Sequence, residues 1–509
     1  MGVWGYGGVG VWEFYLPYFR TSLLPHPHTP ILLLRFYSKD MKPWVTFLLE
    51  LLVLTGMSSC STSEKQSYVT PKETPTPPME RDILPKSSVN WIGHWLGQDK
   101  RETLVREVAR EFEFLNPEIE VNLKFPQEIF GNRSKALIAK QYADRIRKDN
   151  LDWDVIWMDP GIYQLVAQDL GDAEWGKKYL VNFEEVEGFK ETQKPFILED
   201  PIYRNQTGGI LIGPYIEGFY WALFYNTEVA KRIGIEIKQE GMTFDDLLGY
   251  VKKVYEYKQK NNVDIAAFYE ARDAFSLGVL FQSLVTSELK DFRKVKEEVT
   301  SEEKRAALLK TFRAFEELGK YDPLIPSHAN NLWFETKHLA LEGKVLFQIG
   351  GTWMYNTWRQ ISEDKMKKMI PAELPVFQEV NYYPGGYIPT WAVFKDAPHR
   401  DNGIKLLLFW STPKVAEKWV RYTKSPTGLR GHFSTPEIGV DVFEKFQHRI
   451  TTKYGKNVLA VSNAGYLLGK ENRLLLKDIA EKIIKLLEGR TTAETAYHEI
   501  IVKAGLEKN

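Results

Sequence analysis

The spacing of hydrophobic and polar positions changes along the chain in a way that predicts alternating strands and helices. Residues 89–92 predict a strand, and residues 98–115 predict a helix because apolar residues recur there three and four positions apart. Residues 119–125 alternate apolar and polar side chains, which predicts a strand with one buried face. The apolar face of the predicted helix comprises Leu104, Val108, Phe112 and Leu115.

The same alternation of element types continues beyond the second strand. Residues 134–148 predict another amphipathic helix, and residues 154–158 form a continuous apolar run, as in a parallel strand covered on both faces. Residues 345–349 predict a further buried strand, which ends in a pair of glycines. A strand–helix–strand–helix–strand order predicts an open α/β sheet.

The N-terminal region predicts export and lipid attachment. Residues 41–59 contain a basic residue, a short apolar run and small residues directly before Cys60, the only cysteine. This pattern resembles a bacterial lipoprotein signal, in which the cysteine is acylated and becomes the first mature residue. The alternative is a buried free cysteine in an N-terminal helix.

Residues 60–85 are rich in Ser, Thr, Glu, Lys and Pro and predict a flexible tether. Residues 1–40 are interpreted as a mis-assigned extension upstream of Met41, with a genuine extension as the alternative.

Composition narrows the functional classes. A chain of 509 residues predicts two or three domains. Its net charge of zero argues against nucleic-acid binding. The 15 tryptophans are more than a core alone usually needs. The nine histidines show no metal-ligand spacing, and we expect no metal and no cofactor.

Six stretches, in order along the chain, resemble the extracellular solute-binding proteins of the maltose-binding type, the family 1 lipoproteins of ABC importers. They are residues 111–121, 154–161, 223–228, 347–353, 384–387 and 487–494. The resemblance implies a periplasmic-binding-protein-like α/β fold, with two lobes that are discontinuous in sequence, a hinge and a cleft between the lobes. The implied lobes are residues 86–214 with 388–430, and residues 215–387 with 431–509.

The resemblance also implies a function. The chain would capture a small ligand, most simply an oligosaccharide or another carbohydrate, and deliver it to the membrane permease of an ABC importer. It would be a monomer without enzymatic activity, anchored by lipid to the outer face of a bacterial cell membrane. Zincin, α/β-hydrolase and P-loop signatures are absent from the sequence. The alternatives are a secreted glycosidase or polysaccharide lyase, and a structural surface lipoprotein without a ligand.

Aromatic and polar residues at predicted strand ends are the candidate ligand contacts. A sugar needs an aromatic surface for its C–H face and carboxylates or amides for its hydroxyl groups. Ligands of open α/β sheets lie beyond the carboxyl ends of the strands. The candidates are Trp353, Asp159, Tyr215, Glu217, Trp95, His94, Tyr387 and Gly386.

Each candidate has an alternative role. Trp353 could pack under its turn, Asp159 could cap a helix, and Tyr215 could pack in the hinge. Glu217 could be solvated, and Trp95 with His94 could lie in an exposed loop. Trp391, which flanks the return crossing with Tyr387, is assigned to the core. Gly385 and Gly386 predict a tight turn with positive φ.

Overall fold

A computed structural model of the chain describes residues 87–131, 134–271, 276–289, 301–325, 336–380, 382–431, 441–459 and 476–503. Cys60, the predicted signal (41–59), the tether (60–85) and the N-terminal extension (1–40) lie outside the described residues. In the described part of the chain, no helix combines the length and the apolar character that crossing a membrane requires.

The strands and helices alternate in the order that the sequence predicts for its first half. The strands are β1 (Ser87–Ile92), β2 (Ile119–Lys124), β3 (Val155–Trp157), β4 (Glu217–Asn226), β5 (Phe347–Gly351), β6 (Met369–Ala372), β7 (Tyr383–Ile388), β8 (Trp391–Val393) and β9 (Val458–Leu459). The helices are α1 (Asp99–Leu115), α2 (Pro126–Phe130), α3 (Lys135–Arg147), α4 (Pro160–Leu170), α5 (Trp175–Tyr179), α6 (Phe189–Thr192), α7 (Pro195–Glu199), α8 (Pro201–Asn205), α9 (Thr227–Ile233), α10 (Phe244–Asn261), α11 (Ser276–Ser287), α12 (Ser301–Gly319), α13 (Met354–Ile361), α14 (Glu363–Met366), α15 (Arg400–Trp410), α16 (Pro413–Thr423), α17 (Val442–Tyr454), α18 (Leu476–Leu487) and α19 (Ala493–Lys503).

One sheet has the strand order β2-β1-β3-β8. β1 runs parallel to both β2 and β3, and β8 is antiparallel to β3. β3 is buried at every position, as its continuous apolar run predicts for a strand covered on both faces. The predicted strand–helix–strand–helix–strand unit is therefore confirmed, and a strand from much later in the chain completes the sheet.

The second sheet has the order β5-β4-β7-β9, with β6 also paired to β4. Alternate side chains of β4 enter two different cores because successive residues of a strand point to opposite faces. Tyr220 and Phe224 belong to the core shared with the first sheet. Trp221 and Leu223 belong to the core formed with helices such as α11, α12 and α18. The strand membership of the two sheets is compatible with discontinuous lobes, whose boundaries (86–214 with 388–430, and 215–387 with 431–509) stay a prediction.

Two details of the sequence interpretation are wrong. Leu115, predicted on the buried face of α1, is the last helical residue and is 57% exposed, since the buried face ends one turn earlier at Phe112. Gly385 and Gly386 do not form a turn with positive φ; both lie in β7, paired with Tyr220 and Phe219 of β4. A side chain on Gly385 would approach the Phe219 carbonyl oxygen to 2.6 Å, so the glycine permits close strand approach.

Candidate ligand-binding cavity

A cavity of about 250 Å³ lies between loops and helices that adjoin the strands of the two sheets. One side is formed by the loop after β1 and the first turn of α1. The other side is formed by the start of β4 and by residues before and within α13. The lining residues are His94, Trp95, Gly97, Gln98, Arg101, Glu217, Lys337, Trp353, Thr357 and Gln360. The carboxyl ends of β1 and β5 lead directly into this lining, which is the expected location of a ligand in an open α/β sheet.

Trp353 lies where β5 ends and α13 begins, and it is half-buried. Its indole ring lies against the backbone of Gly351. The ring also makes edge contacts with Trp221, at 4.9 Å between centroids, and with Phe219, at 5.5 Å. These contacts hold the ring at the cavity wall. The indole of Trp353 is therefore held in one position, and part of its surface lines the cavity.

Gly351→Ala is expected to displace the Trp353 ring, because a methyl group on Gly351 would overlap the six-membered part of the indole. Gly351 does not have a positive φ, so alanine is compatible with its backbone and the ring contact is the main conflict. We expect ligand affinity to fall by about tenfold or more and stability by about 1–3 kcal/mol. Calorimetric titration and a thermal melt measure the two effects.

The matched control is Gly249→Ala in α10, where an added methyl group meets no atom within 4 Å and affinity should not change. Combining Gly351→Ala with Trp353→Ala should weaken binding no further than Trp353→Ala alone. A wild-type affinity in Gly351→Ala would show that the orientation of the Trp353 ring is irrelevant to binding.

Trp95 forms the opposite wall and is almost fully buried, at 2% exposure. Its ring packs against Trp391 and Trp419, with centroid distances of 5.4 Å and 5.0 Å. Its φ of 70° is rare for a residue with a large side chain and indicates that surrounding contacts impose the conformation. The adjacent His94 stacks on Trp157 at 3.9 Å. The predicted alternative of an exposed loop is thus incompatible with the burial of Trp95.

Arg101 and Glu217 form an ion pair at the cavity, with 3.0 Å between Nη1 and Oε1. Both are largely buried: their side chains are 4% and 12% exposed. Burial raises the pKa of Glu217, and the charge of Arg101 opposes that shift. The guanidinium also lies near the rings of Trp95 and Trp419, at 5.5 Å and 5.3 Å from their centroids. The alternative of a solvated Glu217 is excluded by this buried pairing.

Asp159 does not belong to the cavity lining. One carboxylate oxygen accepts a hydrogen bond from the Ile162 backbone N–H at 3.0 Å and caps α4. The other oxygen pairs with Lys135 at 2.7 Å. Asp159 therefore caps a helix, which is the alternative role that the sequence left open for it. The negative charge of Asp159 still contributes to the raised pKa of Glu217.

Tyr215, Tyr387 and Gly386 also lie outside the cavity lining. Tyr215 is fully buried, and its hydroxyl donates to the Tyr203 carbonyl oxygen at 3.0 Å. Tyr387 is fully buried, and its hydroxyl is 2.6 Å from that of Tyr220. Both tyrosine side chains belong to the core that the first sheet shares with β4. A ligand contact for them stays a prediction that would need a rearrangement of these hydrogen bonds.

The sequence interpretation missed several lining residues, above all Arg101. The amphipathic pattern of α1 assigns charged residues to the solvent face, and it offers no sign that Arg101 is 3% exposed. Thr357 lies four positions after Trp353, and Gln360 three positions after Thr357. These are spacings that share one helix face. That spacing could have identified both residues once Trp353 was a candidate.

No protein-family model matches the chain. No curated protein sequence matches it either. Solved structures do match. Apo RafE from Streptococcus pneumoniae aligns with a TM-score of 0.59 at 13% identity, over 83% of this chain and 98% of RafE. The chain has the fold of an extracellular solute-binding protein. The resemblance inferred from the six sequence stretches and the two-lobed α/β fold class are thereby confirmed at the level of fold.

Two further structures support the solute-binding-protein fold. The GacH receptor of Streptomyces glaucescens aligns with a TM-score of 0.58 at 14% identity, over 83% of this chain and 97% of GacH. A family 1 extracellular solute-binding protein from Bifidobacterium longum aligns with a TM-score of 0.55 at 13% identity, over 83% of this chain and all of its own length. Nearly complete coverage of each solved chain means that the whole fold is matched.

Proposed function

We propose that the protein is the extracellular solute-binding component of an ABC importer and that its ligand is a carbohydrate, most simply an oligosaccharide. The cavity between the two sheets carries this proposal, because it combines the indoles of Trp95 and Trp353 with the polar groups of Arg101 and Glu217. An indole can cover the C–H face of a sugar, and charged groups can bind its hydroxyls. GacH was solved with acarbose and RafE with raffinose, which supports a carbohydrate for a similar fold.

The cavity volume bears on the size of the bound portion. Small-molecule sites usually measure about 300–1,000 Å³, and this cavity measures about 250 Å³. A cavity of this size suits a small sugar or one end of a longer oligosaccharide. Opening of the two lobes about a hinge would admit the longer ligand, as in other binding proteins that close around a solute.

A panel of oligosaccharides, monosaccharides, polyols and polyamines tests the proposal by thermal shift. A ligand at one hundred times its dissociation constant stabilises the native state by about 2.7 kcal/mol, which is readily measured. We expect at least one carbohydrate to raise the melting temperature and to be recovered intact after incubation. Hydrolysis or elimination of the sugar would instead establish the secreted carbohydrate-active enzyme. No stabilisation by any member would favour a structural surface lipoprotein.

The anchor is a separate part of the proposal. Cys60, which lies outside the described residues, is expected to be the first mature residue and to carry lipid, because small residues precede it and a polar tether follows. Mass spectrometry of the membrane fraction checks this. Cys60→Ser should release the protein from the membrane, whereas Ser59→Ala, which keeps a small residue before the cysteine, should not. Retention of residues 1–59, or a free Cys60 thiol, would contradict the anchor.

A further inference from the structure

The exposure of its lining residues shows where the cavity opens to solvent. Gly97 and Gln360 line the cavity and are also exposed. A residue that lines a cavity and faces solvent lies at its mouth. Gly97 belongs to the loop between β1 and α1, and Gln360 lies on α13, which follows β5. The mouth therefore lies between segments that follow strands of different sheets.

An ion pair joins the immediate neighbours of the residues at the mouth. Oδ2 of Asp99, the first residue of α1, lies 3.4 Å from Nη1 of Arg359 on α13. The two side chains are 28% and 25% exposed. Neither belongs to the lining, whereas Gln98 beside Asp99 and Gln360 beside Arg359 do. The pair therefore lies at the rim of the cavity, and it connects the two sides of the mouth.

Arg359 has a second carboxylate on its own side of the mouth. Its Nε lies 3.8 Å from Oε2 of Glu363, the first residue of α14. When α1 and α13 separate, Arg359 keeps this neighbour and loses only Asp99. Opening therefore leaves no buried charge without a partner, which is the expensive way to break an ion pair. An ion pair with these properties favours the closed mouth and still permits opening.

We propose that Asp99 and Arg359 form a latch across the mouth of the cavity, and that a ligand enters or leaves only when this ion pair is broken. The latch rests on the proposed function, since it concerns access to the same site. The pair does not line the cavity, so it stabilises the closed mouth to the same extent with and without ligand. Its loss should therefore raise the association and dissociation rates together and leave the dissociation constant nearly unchanged.

Asp99→Asn removes the latch with little other change, because asparagine has a similar shape and tolerates the positive φ of 35° at this position. Thiol labelling of the full-length protein measures opening without a ligand. Cys60→Ser removes the only cysteine, and Thr357→Cys places one in the lining. We expect methyl methanethiosulfonate, an uncharged reagent, to label this thiol about two- to fivefold faster when Asp99→Asn is added, the range for a single partly exposed ion pair.

Stopped-flow mixing with raffinose, maltotriose and cellotriose measures ligand exchange. For each of these sugars that binds, we expect both rates to rise about two- to fivefold in Asp99→Asn, with a change of less than about twofold in dissociation constant. Added salt should speed exchange of these neutral sugars in the wild type and affect the variant much less, because salt screens the pair. Arg359→Gln should reproduce the effect of Asp99→Asn, and the double variant should add nothing further.

Two controls separate the latch from general effects. Asp245→Asn removes a carboxylate from the first turn of α10, outside the lining, and so reproduces the loss of a negative charge at a helix N-terminus. It should change neither labelling nor exchange. Asn150→Cys, at an exposed position, should be labelled equally with and without Asp99→Asn.

The two measurements fail in different ways. Unchanged labelling of Thr357→Cys in both Asp99→Asn and Arg359→Gln would overturn the latch and leave the proposed function intact. A weaker affinity at an unchanged labelling rate would make Asp99 a ligand contact, against the latch. If none of the three sugars binds, the labelling rate alone decides on the latch, and the wider thermal-shift panel decides on the proposed function. If Asp99→Asn does not fold, Arg359→Gln carries both measurements.

Discussion

Trp353→Ala is expected to weaken ligand binding by about 1–4 kcal/mol, which is about tenfold up to several hundredfold in dissociation constant. The indole lies at the cavity wall, supported from behind by the Gly351 backbone and at its edges by Trp221 and Phe219. A side chain that other residues hold in place loses little conformational entropy when ligand binds. A contact between this indole and the proposed sugar ligand would therefore contribute almost fully to affinity. Calorimetric titration of the variant measures the loss.

The control for this variant lies on α13, the helix that begins directly after Trp353. Trp358 is fully buried and its indole N–H donates to the Lys337 carbonyl oxygen at 2.8 Å. Trp358→Phe should lower the melting temperature of the ligand-free protein while affinity changes little. If Trp353→Ala instead lowers only the melting temperature and leaves affinity unchanged, Trp353 is a packing residue and the cavity loses its proposed stacking surface.

Trp391→Ala is expected to lower the free energy of unfolding by about 3–5 kcal/mol. Trp391 is fully buried in β8, and its ring contacts Trp91, Trp410 and Trp95, with centroid distances of 5.1 Å, 4.8 Å and 5.4 Å. Its indole N–H donates to the Ile92 carbonyl oxygen at 3.1 Å. Alanine would leave a large cavity beneath the loop that carries Trp95. Urea unfolding of the ligand-free protein measures the loss.

Trp391→Phe separates the two parts of this effect. Phenylalanine keeps most of the apolar volume and removes the hydrogen bond to Ile92, so we expect a clearly smaller loss of stability than with alanine. Affinity should fall less in either Trp391 variant than in Trp353→Ala. Unchanged stability in Trp391→Ala would contradict the core assignment and would identify Trp391 as a side chain available to ligand.

Local patterns in the sequence determined much of the fold. β2 is predicted by the alternation of apolar and polar residues over 119–125, because one face of that strand is buried. β3 is predicted by the continuous apolar run over 154–158, because both of its faces are buried. The cap of α4 by Asp159, one of the two roles that the sequence left open, is similarly local, because the capping bond spans only three residues. Trp353 could be predicted as a cavity residue because a glycine pair ends the strand before it.

The tertiary structure decided which of the candidate residues come together in the cavity, and which further residues join them. Its lining combines positions near 94–101, 217 and 337–360, which no periodicity connects. The helical pattern assigns Arg101 to solvent, and only the approach of Glu217, Trp95 and Trp419 makes it a buried cation. The hydroxyl groups of Tyr215 and Tyr387 are likewise engaged by residues brought close in the fold. The periodicity of apolar residues indicates which face of a helix or strand is buried. A binding site, in contrast, depends on contacts between helices and strands that are far apart in the chain.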